Sequence, residues 1–191
     1  MNKGKFIVLE GVDGCGKTTH AKLLAQWLAT NGHKVLHTKE PSHGPIGVLL
    51  RQYLKKENDP LIDALLFTAD RAEHLEKEIR PSLEKGEIVV CERYFYSTIA
   101  YQVGQGLDKN WLKDLNAFAL KPDLTILLDL NPEVSVKRTS TNEKFEKLEF
   151  LKKVRDNYSL LAKEEGFKIV DASKGKKTVQ ETIQKVVQKF L

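Results

Sequence analysis

Residues 6–19 read Phe6-Ile7-Val8-Leu9-Glu10-Gly11-Val12-Asp13-Gly14-Cys15-Gly16-Lys17-Thr18-Thr19. Four apolar residues run into a glycine-rich segment that matches GxxxxGK(S/T) from Gly11 to Thr18, and a helix-patterned stretch follows from Lys17 to Thr30. Strand, loop and helix in that order are the setting in which such a loop cradles phosphate. Gly11, Gly14 and Gly16 let the backbone turn tightly and aim N–H groups inward at an anion, reinforced by the positive end of the helix. Lys17 is predicted to reach the β- and γ-phosphates of a nucleoside triphosphate, and the Thr18 hydroxyl to ligate Mg²⁺. A chance glycine-rich turn is the bland alternative, and the flanking strand and helix weigh against it. The loop alone does not separate a kinase from a GTPase, a motor or a sulfotransferase.

Working outward, short apolar runs alternate with helical periodicity. Strands are predicted at Lys5–Leu9, Lys34–Thr38, Glu87–Cys91, Leu124–Asp129 and Phe167–Asp171. These runs show little alternation, as strands buried on both faces of a parallel sheet do. Helices are predicted over Lys17–Thr30, Gly47–Lys56, Pro60–Glu84, a pair across Ser97–Leu120, Pro132–Thr139, Lys147–Glu165 and Thr178–Phe190, with Gly32 and Gly86 as helix-ending glycines. The expected fold is a single α/β domain of three layers, a five-stranded parallel sheet flanked by helices. Ligands of such sheets bind beyond the carboxyl ends of the strands, where strand order reverses.

Bulk composition narrows the function classes. A chain of 191 residues with 41% hydrophobic content suits one full-sized core. Cys15 and Cys91 form no CxxC pair, so neither a disulfide framework nor a zinc site is expected. No stretch has the length of a signal-peptide apolar region or a membrane span, which leads to the expectation of a soluble, cytoplasmic protein without a membrane partner. The net charge of +5 comes from interspersed residues with no dominant basic block, so a nucleic-acid partner is not expected.

A second cluster follows the third strand, at Cys91-Glu92-Arg93-Tyr94. A carboxylate at a strand end near the phosphate loop can hold Mg²⁺ through water, and an adjacent arginine can grip a second phosphate. An isolated surface Arg–Glu pair is the plain alternative. Asp13 would repel the triphosphate if it pointed inward, so it is expected to face the acceptor side and meet Arg93.

These segments resemble the thymidylate kinases of the P-loop nucleoside monophosphate kinase family. Gly11 to Thr19 is similar to that family's loop, with aspartate two places after the first glycine. Lys39-Glu40-Pro41 resembles its REP segment, Leu65-Leu66-Phe67-Thr68-Ala69-Asp70-Arg71 its LLFxAxR helix, and Glu92-Arg93-Tyr94 its DR(Y/H) motif. Ser97-Thr98-Ile99-Ala100-Tyr101-Gln102 resembles its SxxAYQ segment, and Asp171-Ala172-Ser173 its adenine loop. The matches keep their order from residue 6 to 173.

The resemblance implies an enzyme that moves the γ-phosphoryl group of ATP to dTMP with Mg²⁺, working as a homodimer formed through helices beside the sheet. It implies that Gly11, Val12, Asp13, Gly14, Cys15, Gly16, Lys17, Thr18 and Thr19 hold the triphosphate. Arg138 and the Ala172–Ser173 turn would flank adenine, and Thr18 and Glu92 would hold the metal. For dTMP it implies Asp13, Pro41, Arg51, Phe67, Arg71, Arg93, Ser97, Tyr101 and Gln102. Phe67 would stack on thymine and Arg71, one turn on, would donate to a base carbonyl. Ser97 and Gln102 would complete the base edge, Tyr101 would fill the place of a 2′-hydroxyl, and Arg93 with Arg51 would clamp the monophosphate. Read without the resemblance, Phe67 is a core residue and Arg51 a solvent-facing one.

Two departures stand out. Glu92 replaces the family's aspartate. A short mobile lid is expected near 137–147, where the family's (D/E)R(Y/F/I)E pattern becomes Glu143-Lys144-Phe145-Glu146. Because the loop carries Gly14 where some members carry an arginine, the lid cation falls to Lys144 or to Arg138. Cys15, at a helix N-terminus, is expected to alkylate readily and to be protected by ATP. Competing readings are a kinase for dUMP, dCMP or thymidine, and a non-enzymatic nucleotide-binding module. A GTPase-type switch lacks its NKxD guanine reader in this chain.

Overall fold

Five apolar runs form one sheet in the computed structural model, which describes residues 4–56, 58–138 and 148–191. The strands are β1 (Lys5–Glu10), β2 (Val35–Lys39), β3 (Ile88–Glu92), β4 (Leu124–Asp129) and β5 (Lys168–Asp171), all parallel, in the order β2-β3-β1-β4-β5. The three central strands are buried along nearly their whole length, which is why they read as continuous apolar runs. Ile7 and Leu9 feed one core and Phe6 and Val8 the other, so successive side chains of β1 supply both faces and three layers result.

β1, β2 and β3 each continue one residue past the apolar run, into Glu10, Lys39 and Glu92. The ladder does not depend on side-chain polarity, and Leu9 and Lys39 both pair with Glu92 in register. One edge of the sheet therefore carries Glu10, Lys39, Glu92, Asp129 and Asp171 side by side. Strand order reverses about β1, which lies between β3 and β4, and the phosphate loop leaves from the end of β1 at that reversal.

Among the described residues the helices are α1 (Lys17–Thr30), α2 (Pro45–Tyr53), α3 (Pro60–His74), α4 (Arg80–Glu84), α5 (Phe95–Gly104), α6 (Lys109–Leu115), α7 (Pro132–Arg138), α8 (Leu148–Glu165) and α9 (Lys176–Phe190). α1 ends at Gly32 with a positive φ of 87°, and the N–H groups of Gly32 and His33 return to the carbonyls of Ala29 and Leu28. Gly86, with φ 79°, closes α4 in the same way onto Leu83 and Ser82. Both are Schellman endings. α2 begins two residues before the predicted helix, because Pro45 sits at its first position, where a missing N–H costs nothing.

The long helix predicted over Pro60–Glu84 is interrupted by a π-helical turn at Leu75–Ile79 that joins α3 to α4. Pro81 explains it. The proline ring lacks an N–H and would strike the carbonyl of Lys77 in a regular helix, and a widened turn just ahead relieves the clash. Of the expected lid, Lys137 and Arg138 end α7, and residues 139–147, with Lys144 among them, lie outside the described residues.

Candidate active site

Gly11, Gly14 and Gly16 take φ values of 143°, 73° and 96°. A Cβ at Gly11 would lie 2.6 Å from the Leu128 carbonyl oxygen, so the loop's first bend is open to glycine alone. Val12 and Cys15 turn their side chains into the core, leaving the backbone to face the cleft. Lys17 folds back across the loop, its Nζ donating to the carbonyls of Gly11 (2.8 Å) and Val12 (2.9 Å). The burial of Cys15 corrects the expectation of a reactive thiol. Its Sγ is packed beneath Lys17 with 1% of the residue exposed, so an alkylating reagent has no approach while the loop is closed.

Thr18 opens α1 and donates to Glu92 Oε2 at 2.7 Å, while the other Glu92 oxygen meets His37 Nε2 at 2.8 Å. Burial raises the Glu92 carboxyl, but the hydrogen bonds from His37 and Thr18 outweigh it and hold the group below the usual range. The longer glutamate thus reaches back to the loop, where a hydroxyl and an ionised carboxylate stand together. His37 went unnoticed in the sequence because it lies on β2 and meets Glu92 only through strand pairing.

On the other side of the loop, Arg93 has a left-handed φ of 64°; among the described residues it is the one non-glycine with a positive φ. The strain is held where two clefts meet. Its guanidinium pairs with the Asp13 carboxylate, approaches Tyr101 Oη at 3.3 Å and donates to Ser97 Oγ at 3.2 Å. Tyr101 also donates to Asp13 at 2.7 Å. Burial pushes the Asp13 carboxyl up, yet Arg93, Lys17 and the Tyr101 hydroxyl hold it far below the usual carboxylate range. Asp13 is therefore ionised and docked on Arg93, the partner expected for it.

Two clefts meet here. The larger, of about 390 Å³, is lined by Gly14, Lys17, Thr18, Thr19, Arg51 and Arg138, among others. The smaller, of about 170 Å³, is walled by Leu54, Phe67, Ser97, Thr98, Tyr101 and Gln102. Asp13, Pro41 and Arg93 line both. Phe67 is half-buried on the cavity wall and not a core residue. Arg51 turns inward, donating to the Pro41 carbonyl at 2.8 Å. Gln102 Oε1 is buried without a hydrogen-bond partner among the described residues. Arg138 extends to within 3.5 Å of the Ala172 carbonyl, and Ser173 closes that turn by donating to Asp171.

Two expected acceptor residues are placed otherwise. Arg71 is 1% exposed and does not line the cavity: it donates to Glu40 (2.7 Å), Asn116 (2.6 Å) and Thr98 (3.0 Å). The one-turn spacing from Phe67 set its face correctly, but Glu40, arriving from the segment after β2, draws the guanidinium one layer deeper. Ser97 does line the cavity, but its hydroxyl is directed at the Glu10 carboxylate. Thr98, absent from the sequence-based set, stands at the wall where Arg71 was expected.

Comparison with known proteins agrees with this layout. The thymidylate kinase family model matches residues 9–183. A probable thymidylate kinase of Pyrococcus horikoshii is 50% identical over 84% of this chain and 83% of its own length. Those of Methanocaldococcus jannaschii and Staphylothermus marinus are 46% and 42% identical, over 98% and 100% of this chain and 96% and 98% of theirs. A phosphate loop, a strained arginine between two clefts and a match across almost the whole chain lead to one conclusion: the chain belongs to the thymidylate kinase family.

Proposed function

We propose that the enzyme transfers the γ-phosphoryl group of ATP to dTMP, yielding ADP and dTDP, with the triphosphate in the larger cleft and dTMP in the smaller. The observation that carries this reading is the shared wall of Asp13, Pro41 and Arg93. Phosphoryl transfer asks the protein for positioning and charge neutralisation, with little covalent work. Lys17 would exchange its loop carbonyls for phosphate oxygens. Arg93, with Arg51, would bind the acceptor phosphate, whose dianion needs no general base. Arg138 and the Ala172–Ser173 turn would flank adenine, and Lys144 would bring the lid's charge. Thr18 and Glu92 present hard oxygen donors that suit Mg²⁺, which when bound with ATP supplies neutralisation of charge on the phosphates.

The base would lie against Phe67. Thr98 accepts from Arg71, which leaves its own proton to donate to a base carbonyl, and the unpartnered Gln102 Oε1 can accept a ring N–H. Tyr101 would occupy the space of a 2′-hydroxyl. This arrangement favours thymine or uracil over cytosine, whose amino group would face a donor. The test is ADP release with ATP–Mg²⁺ and a panel of dTMP, dUMP, dCMP, UMP and thymidine. dTMP is expected to lead, and Thr98→Val to lower kcat/KM for dTMP about tenfold while leaving dCMP unchanged. Turnover with thymidine alone would overturn the monophosphate reading.

A homodimer in the cytoplasm is part of the proposal. Val48, Leu49 and Tyr53 on α2 and Leu61, Ile62 and Leu65 on α3 stand exposed on two helices packed together beside the sheet, which supports a subunit interface there. No helix among the described residues is long and apolar enough to cross a membrane. Light scattering is expected to give twice the chain mass, and Leu49→Glu with Leu65→Glu to halve it; a monomeric parent chain would refute the interface.

A further inference from the structure

Glu10 ends β1 with no exposed surface, and neither the phosphate loop nor the two clefts account for it. Four hydrogen bonds converge on its carboxylate. The backbone N–H groups of Tyr94 (2.9 Å) and Ser97 (3.2 Å) donate to Oε1. The hydroxyls of Ser97 (2.6 Å) and Tyr158 (2.9 Å), from α5 and α8, donate to Oε2. A buried carboxylate is costly unless its oxygens are satisfied, and this one is satisfied by groups clustered around one turn of chain.

That turn is the one that carries Arg93. Tyr94 is the N-cap of α5 and provides no side-chain cap of its own, so Glu10 caps α5 from another element. The two backbone bonds begin immediately after the left-handed Arg93, and they keep the chain from relaxing to a negative φ.

The second half of the argument concerns a proton. Burial holds the Glu10 carboxyl above the usual range, against the hydrogen bonds from Ser97 and Tyr158 and the charge of Arg93. In its ionised form it only accepts, so the Ser97 hydroxyl proton points at Glu10 and the oxygen's lone pairs face Arg93 and the Tyr158 hydroxyl, 2.8 Å away. Arg93 uses one: its Nη1 donates to Ser97 Oγ at 3.2 Å. We propose that Glu10 is a positioning residue for Arg93, fixing its strained backbone through Tyr94 and Ser97 and steering its guanidinium through the Ser97 hydroxyl. This rests on Arg93 as the ligand of the acceptor phosphate.

Glu10→Gln separates the two halves. Its amide oxygen keeps the bonds to the backbone N–H groups, while its NH₂ takes a lone pair of the Ser97 oxygen and frees the hydroxyl proton, so that oxygen is no longer held as an acceptor for the guanidinium. The expected result is a rise of about tenfold in KM for dTMP with KM for ATP changed less than about twofold, and no further rise when Glu10→Gln is added to Arg93→Ala. Equal losses in both backgrounds, an unchanged KM for dTMP, or a parallel loss towards both substrates would reduce Glu10 to a core residue and overturn the proposal. If Glu10→Gln does not fold, Ser97→Ala, which keeps the backbone N–H bonds to Glu10 and removes the hydroxyl between Glu10 and Arg93, takes its place in the same cycle with the same criteria. Arg93→Ala by itself tests the premise: an unchanged KM for dTMP there would sink the reading of Arg93 and leave the fold assignment standing.

Discussion

Arg71→Ala is expected to destabilise the protein by about 3–5 kcal/mol, in addition to any effect on dTMP. The magnitude follows from what would be stranded. Glu40 is buried, and Arg71 and His74 are its side-chain partners, at 2.7 Å and 3.3 Å. Asn116 Oδ1 and Thr98 Oγ1 would each lose a donor, and the guanidinium would no longer cover the Tyr94 ring, 5.3 Å away. Removing one member of a buried ion pair leaves the other charge without compensation, and a domain of ordinary stability has only ~5–15 kcal/mol in total. Urea unfolding checks this, and Glu40→Ala combined with Arg71→Ala should cost less than the sum of the two. A change below about 1 kcal/mol would show that the network is no stronger than a surface pair. Activity lost in Arg71→Ala therefore cannot be read as a lost base contact, which is why Thr98→Val is the better probe of base recognition.

Lys17→Ala should lower kcat by about 10²–10³-fold with little change in folding stability. Among the described residues its Nζ is bound to the loop's own Gly11 and Val12 carbonyls and to Cys15 Sγ, at the margin of an open cleft where water can replace it. The charge it brings to the transferring phosphoryl group has no such substitute. Single-turnover phosphoryl transfer under saturating ATP and dTMP is the measurement, and a loss smaller than about threefold would remove Lys17 from transition-state stabilisation.

What the sequence reveals and what it hides divide along a physical line. The strands were readable because burial on both faces turns them into apolar runs: the run at Leu124–Asp129 matches β4 residue for residue. The phosphate loop was readable because glycines at fixed spacing answer a steric demand, here the Leu128 carbonyl against Gly11. The acceptor cavity was legible in membership more than in detail. Helical spacing put Phe67 and Arg71 on one face, but depth was decided by Glu40, 31 residues away, and periodicity carries no information about such a partner. The places of Thr98, His37 and Glu10 were hidden for the same reason, each being set by a contact across elements. The π-helical turn is a consequence of Pro81, a local signal that the helical pattern around it masked.

The left-handed backbone of Arg93 also bears on how this chain can change over time. Glycine at that position would relax the backbone and, judged by backbone strain alone, would be an improvement. Judged by growth that depends on the enzyme, it would be lost at once, because the guanidinium between the two clefts goes with it. Position 93 is thus a place where backbone fit and the proposed work of the side chain pull in opposite directions.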